Sequence, residues 1–196
     1  MRNTAFVLVG LVFLVLQANV FRLLSPMSAQ IASLGEDSEG MRAFAMFIAS
    51  CFTTPNLLLP LIVFTGVHEY SLSRGAMLAF VLGYAFDLFA AAPVGLFTFA
   101  SVASFVIARI AGVRLAAQTV ITQLALAFAF ALTEGVMVMV LVAIFHKDPY
   151  VARAMVPRLL PSAIATALAA PLVFRLAERV HNATMTVPRA SEGTTR

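Results

Sequence analysis

The sequence predicts an all-α polytopic membrane protein with about six transmembrane helices. The chain has 196 residues, of which 61% are hydrophobic and 11% charged, and its mean hydropathy is +0.96. Soluble domains are nearer about 45–50% apolar and about 25% charged. Apolar runs of about 20 residues, the length that crosses a bilayer, recur along the chain. We therefore expect one transmembrane domain over residues 1–181 and a polar, disordered tail over 182–196.

Six apolar segments have the length and composition of membrane spans. They are Thr4–Leu24, Ala43–Val67, Leu72–Ala91, Val94–Gly112, Ala117–Phe145 and Leu159–Arg179. The first begins like a signal peptide, but its apolar run continues to Leu24 without a clean cleavage site, so we expect an uncleaved span. Ser25-Pro26 is expected to end it.

The second span is the least regular of the six. Pro55 and Pro60 lie inside it, and each removes a backbone donor and clashes with the preceding turn. The span is therefore either kinked or broken near Thr53-Thr54-Pro55-Asn56. Irregular backbone at membrane depth is tolerated only where protein or a wet cavity covers it. A break would therefore point to a lined pocket.

The distribution of Lys and Arg favours cytoplasmic N- and C-termini, because positive residues concentrate in cytoplasmic loops. With six spans, eight of these residues fall on the cytoplasmic side: Arg2, Arg74, Arg109, Arg114, Arg175, Arg179, Arg189 and Arg196. Five fall outside: Arg22, Arg42, Lys147, Arg153 and Arg158. Arg109 and Arg114 then form a short basic cytoplasmic loop that could meet cytoplasmic partners or anionic lipid.

The third span carries small residues at every fourth position, Gly75, Ala79 and Gly83, followed by Asp87. This spacing lets another helix approach closely. Each step of four residues advances about 40° around the helix, so the set forms a broad face. The face is expected to pack within the chain or against a partner helix. In the second case Gly83→Leu would impair complex formation.

Two acids lie within predicted spans, where a charge is costly and usually has a partner. Asp87 lies near the outer end of the third span. Three roles are open for it: a structural clamp with Arg22 or Arg42, a contact with a partner helix, or a proton or substrate site. Glu134 lies near the centre of the fifth span. The alternatives for its state are protonation, a hydrogen bond to Thr133 or Gln123, and pairing with a cation from elsewhere in the chain. It is expected to be either a buried acid held neutral by its apolar surroundings or a coupling or docking site.

The sequence contains no recognisable catalytic or metal motif. His68-Glu69 begins like H-E-x-x-H, but Leu72 stands where the second ligand would be. His146 and His181 stand alone in the sequence. The basic residues are scattered and do not form a stripe, which argues against nucleic-acid binding. We expect no enzyme activity, no cofactor and no metal; a membrane-embedded enzyme using Glu134 or Asp87 is the least favoured alternative.

The same residues resemble those of a known family, the rod shape-determining protein MreD. The resemblance rests on PNLLL from Pro55, on Arg74-Gly75, on FVLGYAFDL from Phe80 with its G-x-x-x-D pattern, and on Pro93-Val-Gly95-Leu. Asn56 departs from the family pattern, in which an acid is common at this position. The resemblance implies an inner-membrane component of the rod elongation complex that helps to organise lateral peptidoglycan synthesis.

The resemblance also implies partners for the chain. These are an MreC-like bitopic membrane protein, with MreB, RodA and its penicillin-binding transpeptidase nearby, together with membrane lipid. It further implies a fold similar to the substrate-binding subunits of energy-coupling-factor vitamin transporters, and such a transport subunit is the alternative function. Those subunits carry Ala-x-x-x-Ala in their first helix, whereas this chain reads Ala5-Phe-Val-Leu-Val9 there.

Overall fold

A computed structural model describes residues 2–33, 39–53, 55–68, 71–89, 93–111, 119–145 and 149–184. Within these ranges the secondary structure is entirely helical and has no strand. The helices are α1 (Arg2–Ser33), α2 (Glu39–Thr53), α3 (Leu58–His68), α4 (Leu72–Phe89), α5 (Leu96–Ile110), α6 (Val120–Phe145) and α7 (Pro149–Thr184).

The all-α membrane architecture is confirmed. Among the described residues, three segments are long and apolar enough to cross a membrane: Leu72–Phe89, Val120–Phe145 and Met155–Thr184. Ala5–Asn19, Leu58–His68 and Leu96–Ile110 are shorter apolar helical segments. Many large apolar side chains are exposed on the outside of the bundle, among them Met77 and Ile121. Such a surface suits a lipid environment.

The second predicted span is broken, so the kinked alternative is wrong. α2 ends at Thr53 and α3 begins at Leu58, and the described residues between them, 55–57, are non-helical. Pro60 is not the cause, because it occupies the first turn of α3, where backbone N–H groups have no partner within the helix. The break therefore coincides with Pro55 and Asn56 and not with Pro60.

Two helices run past the ends that the sequence predicted. α1 continues through Pro26 to Ser33, and at 32 residues it is about 48 Å long. α7 begins at Pro149, contains three further prolines and extends over 36 residues, about 54 Å, to Thr184. The hydrocarbon core is about 30 Å thick, so both helices exceed it. Both helices pack against α2.

The short helix α3 forms the centre of the bundle. Every residue from Leu58 to Val67 is buried, and α1, α4, α5, α6 and α7 all pack against it. Phe64 is fully buried and contacts the rings of Phe6 and Phe174. At 11 residues α3 is about 16 Å long, roughly half the hydrocarbon thickness. The described residues of the break that precedes it, 55–57, are half-buried.

The face of α4 that carries the small residues is occupied by α5. A Cβ at Gly83 would lie 2.8 Å from the Cα of Thr98, and one at Gly75 would lie 2.3 Å from the Phe105 ring. Ala79, between them, is fully buried. Because Gly75 and Gly83 have only a hydrogen atom as side chain, α4 and α5 can approach this closely. The face is thus engaged within the chain.

Candidate functional site

Asn56 forms hydrogen bonds with three helices, α3, α6 and α7, at the break between α2 and α3. Its side-chain Oδ1 accepts hydrogen bonds from the N–H groups of Leu58 (3.1 Å) and Leu59 (3.3 Å) and so caps α3. Its backbone N–H donates to Thr166 Oγ1 of α7 at 3.0 Å. Its Nδ2 donates to Glu134 Oε2 of α6 at 2.9 Å.

The adjacent residue extends the same network to α1, because the Leu57 N–H donates to Gln17 Oε1 at 3.3 Å. Unwound backbone inside a membrane domain must find hydrogen-bond partners. Here the side chains of Gln17 and Thr166 accept from N–H groups that no helix satisfies. We call the set Gln17, Asn56, Glu134 and Thr166 the polar junction.

Glu134 is buried, with 6% of its surface exposed, and its hydrogen-bond partner is Asn56. The hydrogen bond to Thr133, one of the alternatives for this acid, is not formed, because Thr133 Oγ1 donates to the carbonyl oxygen of Ala129, one turn earlier in α6. Gln123 lies eleven residues earlier in the same helix, about 16 Å along its axis, which is beyond the reach of a direct contact. The acid is therefore held by a residue far away in sequence.

A cavity of about 390 Å³ opens beside the polar junction. It falls in the size range of small-molecule sites. Its polar lining consists of the four residues of the polar junction together with Arg158 and Ser162 of α7. The remaining walls are mainly apolar side chains from α4, α5, α6 and α7: Phe86, Phe97, Ala131, Val138, Met155 and Leu159. The arrangement suits an amphipathic ligand, and the polar groups offer hydrogen bonds and charge but no nucleophile beside a base.

Asp87, 2% exposed, is the second buried acid, and it closes the N-terminus of α5. Its Oδ2 accepts from the N–H groups of Gly95 (2.9 Å) and Thr98 (3.0 Å) and from the Thr98 hydroxyl. Its Oδ1 accepts from the N–H of Phe97 at 2.9 Å. A carboxylate at a helix N-terminus is stabilised by these unpaired N–H groups and by the helix dipole.

Gly95 makes this arrangement possible. It is the N-cap of α5, and its φ of +101° is a backbone conformation that other residues rarely adopt. The turn that follows Pro93 thereby directs the first N–H groups of α5 back toward Asp87. The side chains of Arg22 and Arg42, the cations proposed as partners from the sequence, lie outside the described residues. Sequence reasoning missed the backbone groups that bind Asp87.

The basic loop is only partly described. Arg109 lies half-buried in the last turn of α5, where a cation is favourable to the helix dipole. Arg114 lies outside the described residues. The role proposed for this loop therefore stays a prediction.

His68 and His181, which stand apart in the sequence, meet at one end of the bundle. Their ring centroids are 5.8 Å apart, and the Phe64 ring stacks on His68 at 4.1 Å. His68 Nδ1 donates to the carbonyl oxygen of Phe64 at 3.1 Å. In the part of the chain that the structure describes, no three His, Cys, Asp or Glu side chains come close enough to hold a metal ion. The pair is part of an aromatic cluster.

These features define a polytopic helical membrane protein built around a broken helix, with a polar cavity at the break and a tightly packed α4–α5 pair. The family model of the rod shape-determining protein MreD matches residues 39–180, well over half of the chain. The chain belongs to the MreD family, and the resemblance seen in the sequence is confirmed. No curated protein and no solved structure matches the chain.

Proposed function

We propose that the protein is an inner-membrane scaffold of the rod elongation complex, which binds an MreC-like bitopic partner and helps to organise lateral peptidoglycan synthesis. The observation that carries this proposal is the family match over residues 39–180, since the family is one of rod shape-determining proteins. MreB, RodA and its penicillin-binding transpeptidase are the further proposed partners. Both termini are proposed to be cytoplasmic, from the bias of Lys and Arg.

The outer face of α4 is the surface that we propose for the partner helix. The small-residue face of α4 is covered by α5, so a partner must approach from the opposite side. That side exposes apolar side chains at helical spacing: Met77, Phe80, Val81, Tyr84 and Leu88. The rings of Phe80 and Tyr84 are nearly parallel, at 2°, with centroids 6.5 Å apart. They form a ridge against which a single transmembrane helix can pack.

Site-specific photocrosslinking in cells tests this surface. A photoreactive phenylalanine analogue is placed at Met77 or Tyr84. The controls are Leu168 or Leu172 on α7, which are about as exposed as Met77 and more exposed than Tyr84. The expected result is an adduct with a bitopic protein that has a large extracytoplasmic domain, formed from the α4 positions only. Adducts from both helices in equal amounts, or from α7 only, would contradict the assignment.

The cavity supports a second candidate function, the substrate-binding subunit of a vitamin or small-molecule transporter. The two functions differ in what accompanies the chain through mild detergent extraction. A scaffold is expected to retain a bitopic partner, whereas a transport subunit is expected to retain an ATPase module. A chain that carries the ATPase module and no bitopic protein would overturn the scaffold proposal.

A further inference from the structure

The cavity beside the polar junction is lined by one acidic and one basic side chain that do not form a salt bridge with each other. Glu134 lies on α6 and Arg158 on α7, and both line the cavity. Leu159 packs so closely on Gly135 that a Cβ there would lie 2.8 Å from the leucine Cδ1. Glu134 directly precedes Gly135 and Arg158 directly precedes Leu159, so the two charged residues lie at a similar height along the bundle. Within the described residues, the hydrogen bond from Asn56 is the one polar contact of Glu134.

The carboxylate has capacity left for a ligand. Asn56 donates to Oε2, and Oε1 has no hydrogen-bond donor among the described residues. Oε1 is not one of the fully buried oxygen atoms that lack a partner, so it is accessible from the cavity, where an N–H group of a ligand can donate to it. Arg158 is exposed at the rim, and its guanidinium can bind a phosphate through two hydrogen bonds.

The remaining walls limit the class of ligand further. They are mainly apolar, and they include the rings of Phe86 and Phe97 and the side chains of Val138 and Met155. A ligand that fills the cavity therefore combines a short zwitterionic group with a hydrocarbon chain. A purely anionic headgroup would be repelled by Glu134. A quaternary ammonium has no N–H to donate to its carboxylate.

We propose that this cavity binds the headgroup of a zwitterionic aminophospholipid such as phosphatidylethanolamine, with the primary ammonium against Glu134 and the phosphate against Arg158. The acyl chains then lie along the apolar walls. This lipid site is independent of the partner surface proposed on α4, and each can fail without the other.

Native mass spectrometry of the full chain in detergent tests the proposal. The protein is titrated separately with phosphatidylethanolamine, phosphatidylcholine and phosphatidylglycerol of the same acyl composition. Binding of phosphatidylethanolamine is expected to be roughly tenfold tighter than that of the other two, the value of one charge-assisted hydrogen bond. Equal binding of the three lipids would overturn the proposal.

Four variants assign the two charges. Glu134→Gln keeps an acceptor for Asn56 but removes the charge, and Arg158→Gln removes the cation from an exposed position, where folding is least affected. Glu178→Gln and Arg175→Gln, both exposed on α7, are the matched controls. Each cavity variant is expected to lose roughly tenfold in phosphatidylethanolamine binding, with the controls unchanged. Equal behaviour of cavity and control variants would contradict the assignment.

Free glycerophosphoethanolamine distinguishes the lipid from its soluble headgroup. It has the same phosphodiester and ammonium charges without the acyl chains, so it is expected to stabilise the protein against heat far less than the lipid. Stabilisation by the free headgroup equal to that by the lipid would overturn the lipid assignment.

Discussion

Asp87→Ala should destabilise the bundle by removing the acceptor for the N-terminus of α5. The carboxylate accepts from the N–H groups of Gly95, Phe97 and Thr98 and from the Thr98 hydroxyl, and it is 2% exposed. Each buried donor left without a partner costs about 1–3 kcal/mol. Partial access of water to the turn favours the low end of that range, so we expect a loss of about 3–5 kcal/mol.

Asp87→Asn separates hydrogen bonding from charge. An amide oxygen placed at the Oδ2 position retains the bonds from Gly95 and Thr98, whereas its NH₂ group faces the N–H of Phe97. The loss is therefore one hydrogen bond and the charge at the helix terminus, about 1–2 kcal/mol. Thr98→Val, which removes a single donor, is the matched control.

Thermal unfolding of the detergent-solubilised protein measures these differences. For chains of this size, about 1 kcal/mol shifts Tm by roughly 2–4 °C. Asp87→Ala is therefore expected to lower Tm by roughly 10 °C and Asp87→Asn by roughly 4 °C. Equal and severe effects of both would show that the charge, and not the pattern of acceptors, is what the site needs. A Tm of Asp87→Ala within about 2 °C of the parent would refute the capping role.

Three further predictions concern backbone contacts and the polar junction, each measured by thermal unfolding. Gly83→Leu should lower the free energy of unfolding by about 3 kcal/mol, because the leucine overpacks against α5. Gly40→Ala, whose added Cβ meets nothing within 4 Å, should be neutral or stabilising. Equal effects of the two substitutions would contradict the close approach of α4 and α5. Gly95→Ala should cost about 1–2 kcal/mol from its left-handed backbone alone, since the space around it is open; an unchanged Tm would show that the turn can rearrange. Asn56→Asp should place its carboxylate against that of Glu134 and destabilise the fold. Adding Glu134→Gln to the same chain should restore the stability. Additive losses of stability in the double variant would disprove the coupling of the two positions.

The sequence predicted the helical fold and an irregularity near Pro55, either a kink or a break, because both have local signals. Hydrophobic runs identify spans, and Pro55 followed by Asn56 combines a helix breaker with a helix cap. The helix ends were less predictable. Pro26 is a strong local stop signal, yet α1 continues beyond it to Ser33. The tertiary contacts of α1, among them those with α2, are not visible in the sequence.

The partners of the buried polar groups could not be predicted, because they are distant in the sequence or belong to the backbone. Asn56 and Glu134 are 78 positions apart. Asp87 binds N–H groups that depend on the left-handed turn at Gly95, for which the Pro-x-Gly pattern is the signal that could have been used. The departure at Asn56 now has a physical reason in this chain, since an amide can donate to Glu134 whereas an acid could not do so when ionised.

The burial of α3 bears on how the chain enters the membrane. A segment of about 16 Å does not reach across the hydrocarbon core alone, and its unwound N-terminal end depends on acceptors contributed by α1 and α7. α7 is synthesised after the other described helices and begins 81 positions after the end of α3, at 149 against 68. Until α7 arrives, the Asn56 N–H lacks the Thr166 hydroxyl that accepts from it. The centre of the bundle is therefore completed only when its final helix inserts, and truncations before α7 should leave an open, unfinished core.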